Sequence, residues 1–201
     1  MLLRPMASLC VQDLAVVRGD RTIISGLGFA VEPGEVLHLQ GRNGAGKTSL
    51  LEVLCGLRQP EAGRILGQPE ADQRHWLGHK NGLNPLLTPM ENLEFWAGLN
   101  GLPAHGLGEA LNKVGLNLRV QRNCGSLSTG QRRRAAMARL LVAPRPWWFL
   151  DEPLSGLDVD GLAIFGRLLT AHVSAGGAVV VTSHQPLPGD ITGLRSLRLE
   201  R

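Results

Sequence analysis

Gly41-Arg42-Asn43-Gly44-Ala45-Gly46-Lys47-Thr48 follows a short apolar run, Val36-Leu37-His38-Leu39, and leads into Ser49-Leu50-Leu51-Glu52-Val53-Leu54. The octapeptide fits G-x-x-x-x-G-K-[ST], the phosphate-binding P-loop. Gly41, Gly44 and Gly46 carry no Cβ, so the backbone can turn tightly and bring its N–H groups up to an anion. A helix predicted over Thr48 to Leu57 adds the positive end of its dipole at the same point. In such a loop Lys47 reaches the β- and γ-phosphates of a nucleoside triphosphate, and the Thr48 hydroxyl ligates Mg²⁺. Strand, loop and helix follow in the order the motif requires. The spacing differs from the G-x-G-x-x-G of dinucleotide folds.

The rest of the chain is compatible with one domain over residues 1–201, long enough to bury a real core. A content of 43% hydrophobic and 19% charged residues is that of an ordinary globular protein, and no apolar run approaches the ~18 residues of a membrane span. Met1-Leu2-Leu3-Arg4-Pro5-Met6 lacks a long apolar segment, so no secretory leader is expected. Cys10, Cys55 and Cys124 are widely spaced and odd in number, which suits reduced thiols. The net charge of +4 only weakly favours anionic partners. Arg132-Arg133-Arg134 reads as a solvated helix face. Four tryptophans, four phenylalanines and no tyrosine offer little for base stacking, so nucleic acid is not an expected partner.

Alternating apolar and polar residues in the first thirty or so positions, with Gly19-Asp20 as a turn, predict antiparallel strands. Arg64-Ile65-Leu66 is a further short strand. Residues 88–143 read as a helical subdomain. Thr88-Pro89-Met90-Glu91 is a capping box with proline at the first helical position, opening a helix to about Leu99. Another helix is expected over residues 107–115. Ser128-Thr129-Gly130-Gln131 is a second capping box, starting a helix that Pro144 closes, with Ala136, Met137, Leu140 and Leu141 at core spacing. Trp147-Trp148-Phe149-Leu150 is a buried strand, residues 159–175 are a helix, and Ala178 to Val181 are a second buried strand. Strands alternating with helices predict a mostly parallel sheet.

The first buried strand ends in Asp151-Glu152. Adjacent carboxylates at such a place need compensation. Mg²⁺ held through Asp151 would supply it, leaving Glu152 to orient and polarise an attacking water.

Leu127-Ser128-Thr129-Gly130-Gln131 then resembles the L-S-G-G-Q signature of the ATP-binding-cassette (ABC) family, with Thr129 in place of the first glycine and the second kept as Gly130. Ser155-Gly156-Leu157-Asp158 is similar to that family's D-loop, and His184 in Thr182-Ser183-His184 to its switch histidine. The motifs occur in family order over nearly the whole chain. The resemblance implies an α/β P-loop NTPase of ABC-cassette type: a mostly parallel sheet core, an antiparallel β subdomain and a helical subdomain. It implies ATP and Mg²⁺ as ligands, with Glu152, His184 and Lys47 catalytic and Thr48 and Asp151 at the metal. The implied nucleotide set is Gly41, Arg42, Asn43, Gly44, Ala45, Gly46, Lys47, Thr48, Ser49, Ser128, Gly130, Arg18 and His79. Ser128 and Gly130 would face the γ-phosphate on the P-loop of a second copy, giving a homodimer in the ATP-bound state.

Two positions depart from the family pattern. The Q-loop glutamine falls on His79, which can still donate or accept a hydrogen bond. The base-stacking aromatic falls on Arg18, which is either a planar cation over adenine or a solvated turn arginine. These departures, the short length, and the stretches Ser128-Thr129-Gly130-Gln131-Arg132-Arg133 and Ser183-His184-Gln185-Pro186-Leu187 narrow the resemblance to ATPase subunits of cytochrome c maturation (Ccm-type) haem exporters. Such a subunit is peripheral on the cytoplasmic face of a bacterial inner membrane. Integral-membrane permease subunits of the maturation system are its partners. Cys-x-x-Cys-His is absent, so no haem contact by this chain is expected. The alternatives are the same engine serving another membrane cargo, or a non-transport ABC ATPase acting on nucleic acid. A P-loop kinase would leave Leu127 to Gln131 and Asp158 without a role.

Overall fold

Apolar and polar side chains alternate through Leu9–Arg18 (β1) and Arg21–Val31 (β2), and the Gly19-Asp20 turn folds one back on the other from Arg18↔Arg21 to Leu9↔Val31. The structure, a computed structural model, describes residues 6–116 and 121–200. The start of the chain on which the reading of a leader rests, residues 1–5, lies outside them. Val36–Gln40 (β3) leads into the P-loop and Lys47–Leu54 (α1). Ala62–Leu66 (β4) then pairs antiparallel with β1, completing a three-stranded sheet in the order β2-β1-β4.

Arg74–Leu77 (β5) is followed by four helices: Pro89–Leu99 (α2), Leu107–Lys113 (α3), Thr129–Met137 (α4) and Arg139–Val142 (α5). Trp147–Asp151 (β6), Val159–Ser174 (α6), Ala178–Thr182 (β7) and Leu194–Arg198 (β8) complete the chain. A second sheet has the order β5-β6-β7-β3-β8, and all of its pairings are parallel.

The two capping boxes form as the sequence predicts. Thr88 and Ser128 each accept from the backbone N–H three residues on, and Glu91 and Gln131 each return the bond. Other boundaries differ. The helix after the P-loop ends at Leu54 rather than Leu57, because Gly56, at φ 69°, turns the chain and Leu57 N bonds back to Glu52 O. The helix expected to run to Pro144 divides at Ala138, where Arg139 Nε donates to the Ala136 carbonyl. Strands β5 and β8 have no counterpart in the sequence reading. They are the two edges of the parallel sheet and carry arginines, which weakens the apolar signal of a strand.

Period-two alternation sorts the sheet into two cores. Leu37, Leu39, Trp147, Phe149, Ala178 and Val180 face α1 and the antiparallel sheet. Val36, Trp148, Leu150, Val179 and Val181 face the other way and join α2 to α6, including Leu93, Leu111, Met137, Phe165 and Leu169. Every residue of β6 and β7 is buried, as a strand covered on both faces requires. The cysteines are free thiols, and burial pushes Cys55 up to about 11.

Residues 143–146, which lead into β6, are held by two buried histidines. His75 Nε2 donates to Ala143 O at 2.7 Å, and His172 Nε2 to Pro146 O at 3.2 Å while its ring stacks on Trp148. Burial lowers the first from 6.5 to about 3 and the second to about 4. Between those values and 6.5 the unfolded chain binds more protons, so the histidines favour the fold above pH 6.5 and that advantage is lost as pH falls. The urea midpoint is therefore expected to drop from pH 6.5 to pH 4, and His172→Phe, which keeps the ring stack, should flatten that slope. An unchanged slope would remove His172 from the account.

Candidate nucleotide-binding site

Strands β3, β6 and β7 run parallel and end side by side, with Leu39 and Asp151 both in register with Thr182. The loops that follow them therefore converge outside the carboxyl edge of the sheet, where α/β folds place ligands. Each loop brings one of the motifs.

Gly41 opens the first loop at φ 149°, where a Cβ would lie 2.9 Å from Leu199 O. Gly46, at φ 95°, is the N-cap of α1 and makes no side-chain cap, so the first N–H groups of that helix are left for another acceptor. Lys47 Nζ folds back to donate to Gly41 O at 2.8 Å and Arg42 O at 3.2 Å. Its charge is thereby held over the loop that leads into its helix.

The second loop starts at Asp151, a residue that is 3% exposed. Thr48 Oγ1 donates to it at 3.2 and 3.1 Å, and Thr182 Oγ1 donates to its Oδ1 at 2.8 Å. Thr182 Oγ1 also accepts from Glu152 N at 2.9 Å, so one hydroxyl ties the two carboxylate residues to the end of β7. Glu152 stands at φ 49°, a left-handed conformation that costs a non-glycine residue of order 1–3 kcal/mol. This turn aims its side chain back over the strand ends. Glu152 Oε2 accepts from His184 N at 3.3 Å, and His184 Nε2 lies 3.4 Å from Oε1. That approach does not meet hydrogen-bond geometry, and Oε1 is buried without a partner.

One cleft of about 490 Å³ is lined by Arg18, Ile23, Asn43, Gly44, Gly46, Lys47, Thr48, Ser49, His79, Asp151, Glu152, Ser155 and His184. Gly41, Arg42 and Ala45 line neighbouring clefts on the β8 side. Ser128 and Gly130 lie elsewhere. Ser128 is the N-cap of α4, and Gly130 packs on the Gly156 turn, where a Cβ on it would fall 2.7 Å from Gly156 O. Asp158 caps α6 by accepting from Gly161 N.

Oxygen donors from a threonine and a carboxylate, already within hydrogen-bond distance of each other, are the hard set that Mg²⁺ takes beside phosphate oxygens. The cleft can thus hold a triphosphate on backbone N–H groups and an ammonium, with a carboxylate oxygen that makes no hydrogen bond beside it.

Two residues of the site escaped the sequence reading. Thr182 was visible only as part of a strand end. Arg133 corrects the reading of a solvated basic face, because it is 2% exposed. Its position three, four and seven residues before the buried Ala136, Met137 and Leu140 places it on the core side of the helix, a signal the sequence carries. Arg132 and Arg134 are partly exposed.

A family model described as "ABC transporter" matches residues 24–155. The cytochrome c biogenesis ATP-binding export protein CcmA of Rhodopseudomonas palustris (strain BisB5) is 47% identical over 182 residues, covering 88% of this chain and 91% of that one. The protein of the same name from Methylococcus capsulatus is 42% identical and covers 96% and 98%. Among solved structures, a putative ABC transporter ATP-binding protein from Pyrococcus furiosus superposes with a TM-score of 0.81 at 23% identity, covering 96% of this chain and 98% of that one.

Thr182→Val keeps the shape of a side chain that is 0% exposed but strips Asp151 Oδ1 of a donor and Glu152 N of its acceptor. The variant should be destabilised by about 1–3 kcal/mol in urea titration, and a loss below a few tenths would mean that water replaces the hydroxyl.

Proposed function

The chain belongs to the ABC transporter family, and we propose on that footing that it is the ATP-hydrolysing subunit of a transporter serving haem export and delivery in cytochrome c maturation. It binds ATP, and the reaction is ATP + H₂O → ADP + phosphate. What carries the reading is the meeting of Lys47, Thr48, Asp151, Glu152 and His184 at one cleft. Identity of 42–47% to CcmA proteins along most of the chain supports the cargo.

Backbone N–H groups of the Gly44–Gly46 turn and the α1 N-terminus bind the phosphates, and Lys47 exchanges its two carbonyl partners for the β- and γ-phosphate oxygens. Thr48 and Asp151 would hold Mg²⁺, which when bound would neutralise phosphate charge. Glu152 Oε1, buried and without a hydrogen bond, accepts from the attacking water and sets its line to the γ-phosphorus. The water oxygen bonds to phosphorus as the bond to the ADP oxygen breaks; one water proton stays on the phosphate and the other passes to Glu152 and on to solvent. His184 holds the other carboxylate oxygen through its N–H and offers its ring to the γ-phosphate. His79 borders the cleft in the place of the family's glutamine, and Arg18 borders it where adenine would stack.

Ser128 and Gly130 lie outside the cleft of their own chain, which suits a helix N-terminus offered to the nucleotide of a second copy in an ATP-bound homodimer. Among the described residues no helix is long and apolar enough to cross a membrane. The resemblance to export proteins supports integral-membrane permease subunits as partners, with this chain peripheral on the cytoplasmic face of the inner membrane.

Glu152→Gln should retain ATP affinity and lose about 100-fold or more in turnover. Undiminished hydrolysis by that variant would take the water-orienting role from Glu152. Detergent extracts of cells carrying a tagged chain should yield the cytochrome c maturation permeases by mass spectrometry. Recovery of permeases for a different cargo would overturn the haem assignment and leave the ATPase intact.

A further inference from the structure

Arg133 uses four of its five guanidinium N–H groups, all on two segments that flank the cleft. Nη2 donates to Asp151 O at 2.8 Å and Nε to Pro153 O at 3.1 Å, so this edge of the fork grips the backbone on both sides of Glu152. Nη1 donates to Gly78 O at 2.8 Å and to Asn81 Oδ1 at 3.0 Å, bracketing His79. Arg139 adds a bond to Asn81 O from the same helical run. His79 and Glu152 both line the cleft. Neither is hydrogen-bonded to Arg133 through its side chain; the guanidinium holds the residues that flank them, Gly78 and Asn81 around His79 and Asp151 and Pro153 around Glu152.

A buried guanidinium costs several kcal/mol unless it is hydrogen-bonded and paired. Burial outweighs the opposing charges of Asp151 and Glu152 and lowers Arg133 to about 10, so it stays cationic at neutral pH. Packing alone would be met by an apolar side chain such as its neighbours Ala136 and Met137. A lysine could supply the charge, but a point donor on a flexible stem cannot hold two segments in a fixed plane.

We propose that Arg133 is a positioning residue for hydrolysis, fixing the loop that carries His79 against the backbone on either side of Glu152 so that the two cleft-facing side chains are set together. The inference rests on the reading that Glu152 orients the attacking water. A shift of the 78–81 loop is passed to Glu152 through one rigid plane, and a change at Glu152 returns along the same route.

The test uses the full chain, with a fluorescent ATP analogue for affinity, steady-state hydrolysis for kcat, and thermal unfolding as the control for folding. Arg133→Lys should hold nucleotide affinity within about twofold while kcat falls about 10- to 100-fold. In the wild-type background His79→Ala should lower kcat, whereas in the Arg133→Lys background it should add little, since the path between the two sites is already cut. Asn81→Ala removes one loop-side bond while leaving the arginine in place, so a smaller loss of kcat is expected even if Arg133→Lys folds poorly. Wild-type turnover in a folded Arg133→Lys, or effects of His79→Ala and Arg133→Lys that simply multiply, would overturn the positioning role. Undiminished turnover in Glu152→Gln would instead overturn the premise about Glu152.

Discussion

A carboxylate buried at a strand end, as that of Asp151 is, costs several kcal/mol unless its oxygens are engaged. Thr48 from the P-loop helix and Thr182 from the neighbouring strand engage them. Each donor arrives from a different element, so this one group joins β6, β7 and α1 at the place where phosphates are to be held. Thr182 extends the connection to the Glu152 N–H and steadies a left-handed residue that would otherwise relax. Arg133 closes the arrangement from the opposite face of the sheet through the Asp151 carbonyl. Strand end, P-loop and helical layer are therefore not independent parts.

The parallel sheet is what makes such convergence possible. Strands that all point one way put all their following loops on one edge, and burial on both faces fixes their register. With α1 and the antiparallel sheet on one side and α2 to α6 on the other, the strand ends cannot slide without moving side chains in both cores. The site inherits its rigidity from that double burial. His79, Arg18 and His184 are exposed and stand at its rim, outside the packed layer.

How far residues can be read depended on how local their physics is. The P-loop, both capping boxes and the strands Trp147–Asp151 and Ala178–Thr182 were legible because each is specified by neighbours within one turn or one strand. Edge strands β5 and β8 were not, since an edge carries arginines and gains its hydrogen bonds from a partner distant in the chain. Arg133 was misread for a related reason. An arginine is mostly a surface residue, and only four acceptors gathered from residues 78, 81, 151 and 153 make its burial tolerable.

The sequence by itself determined the fuel and the fold class: a glycine-spaced loop before a lysine admits a triphosphate, and strands alternating with helices admit a mostly parallel sheet. It also placed Glu152 and His184 at the ends of their strands. Only the tertiary structure decided that Thr182 is the hydroxyl shared by the two acids, and that Glu152 Oε1 is buried without a hydrogen bond. It also decided that Arg133 clamps the His79 loop to them. The physical reason is one of range. Backbone turns and caps are settled within a few residues of chain, whereas the partners of a buried charge come from segments that meet only when the sheet has closed over them.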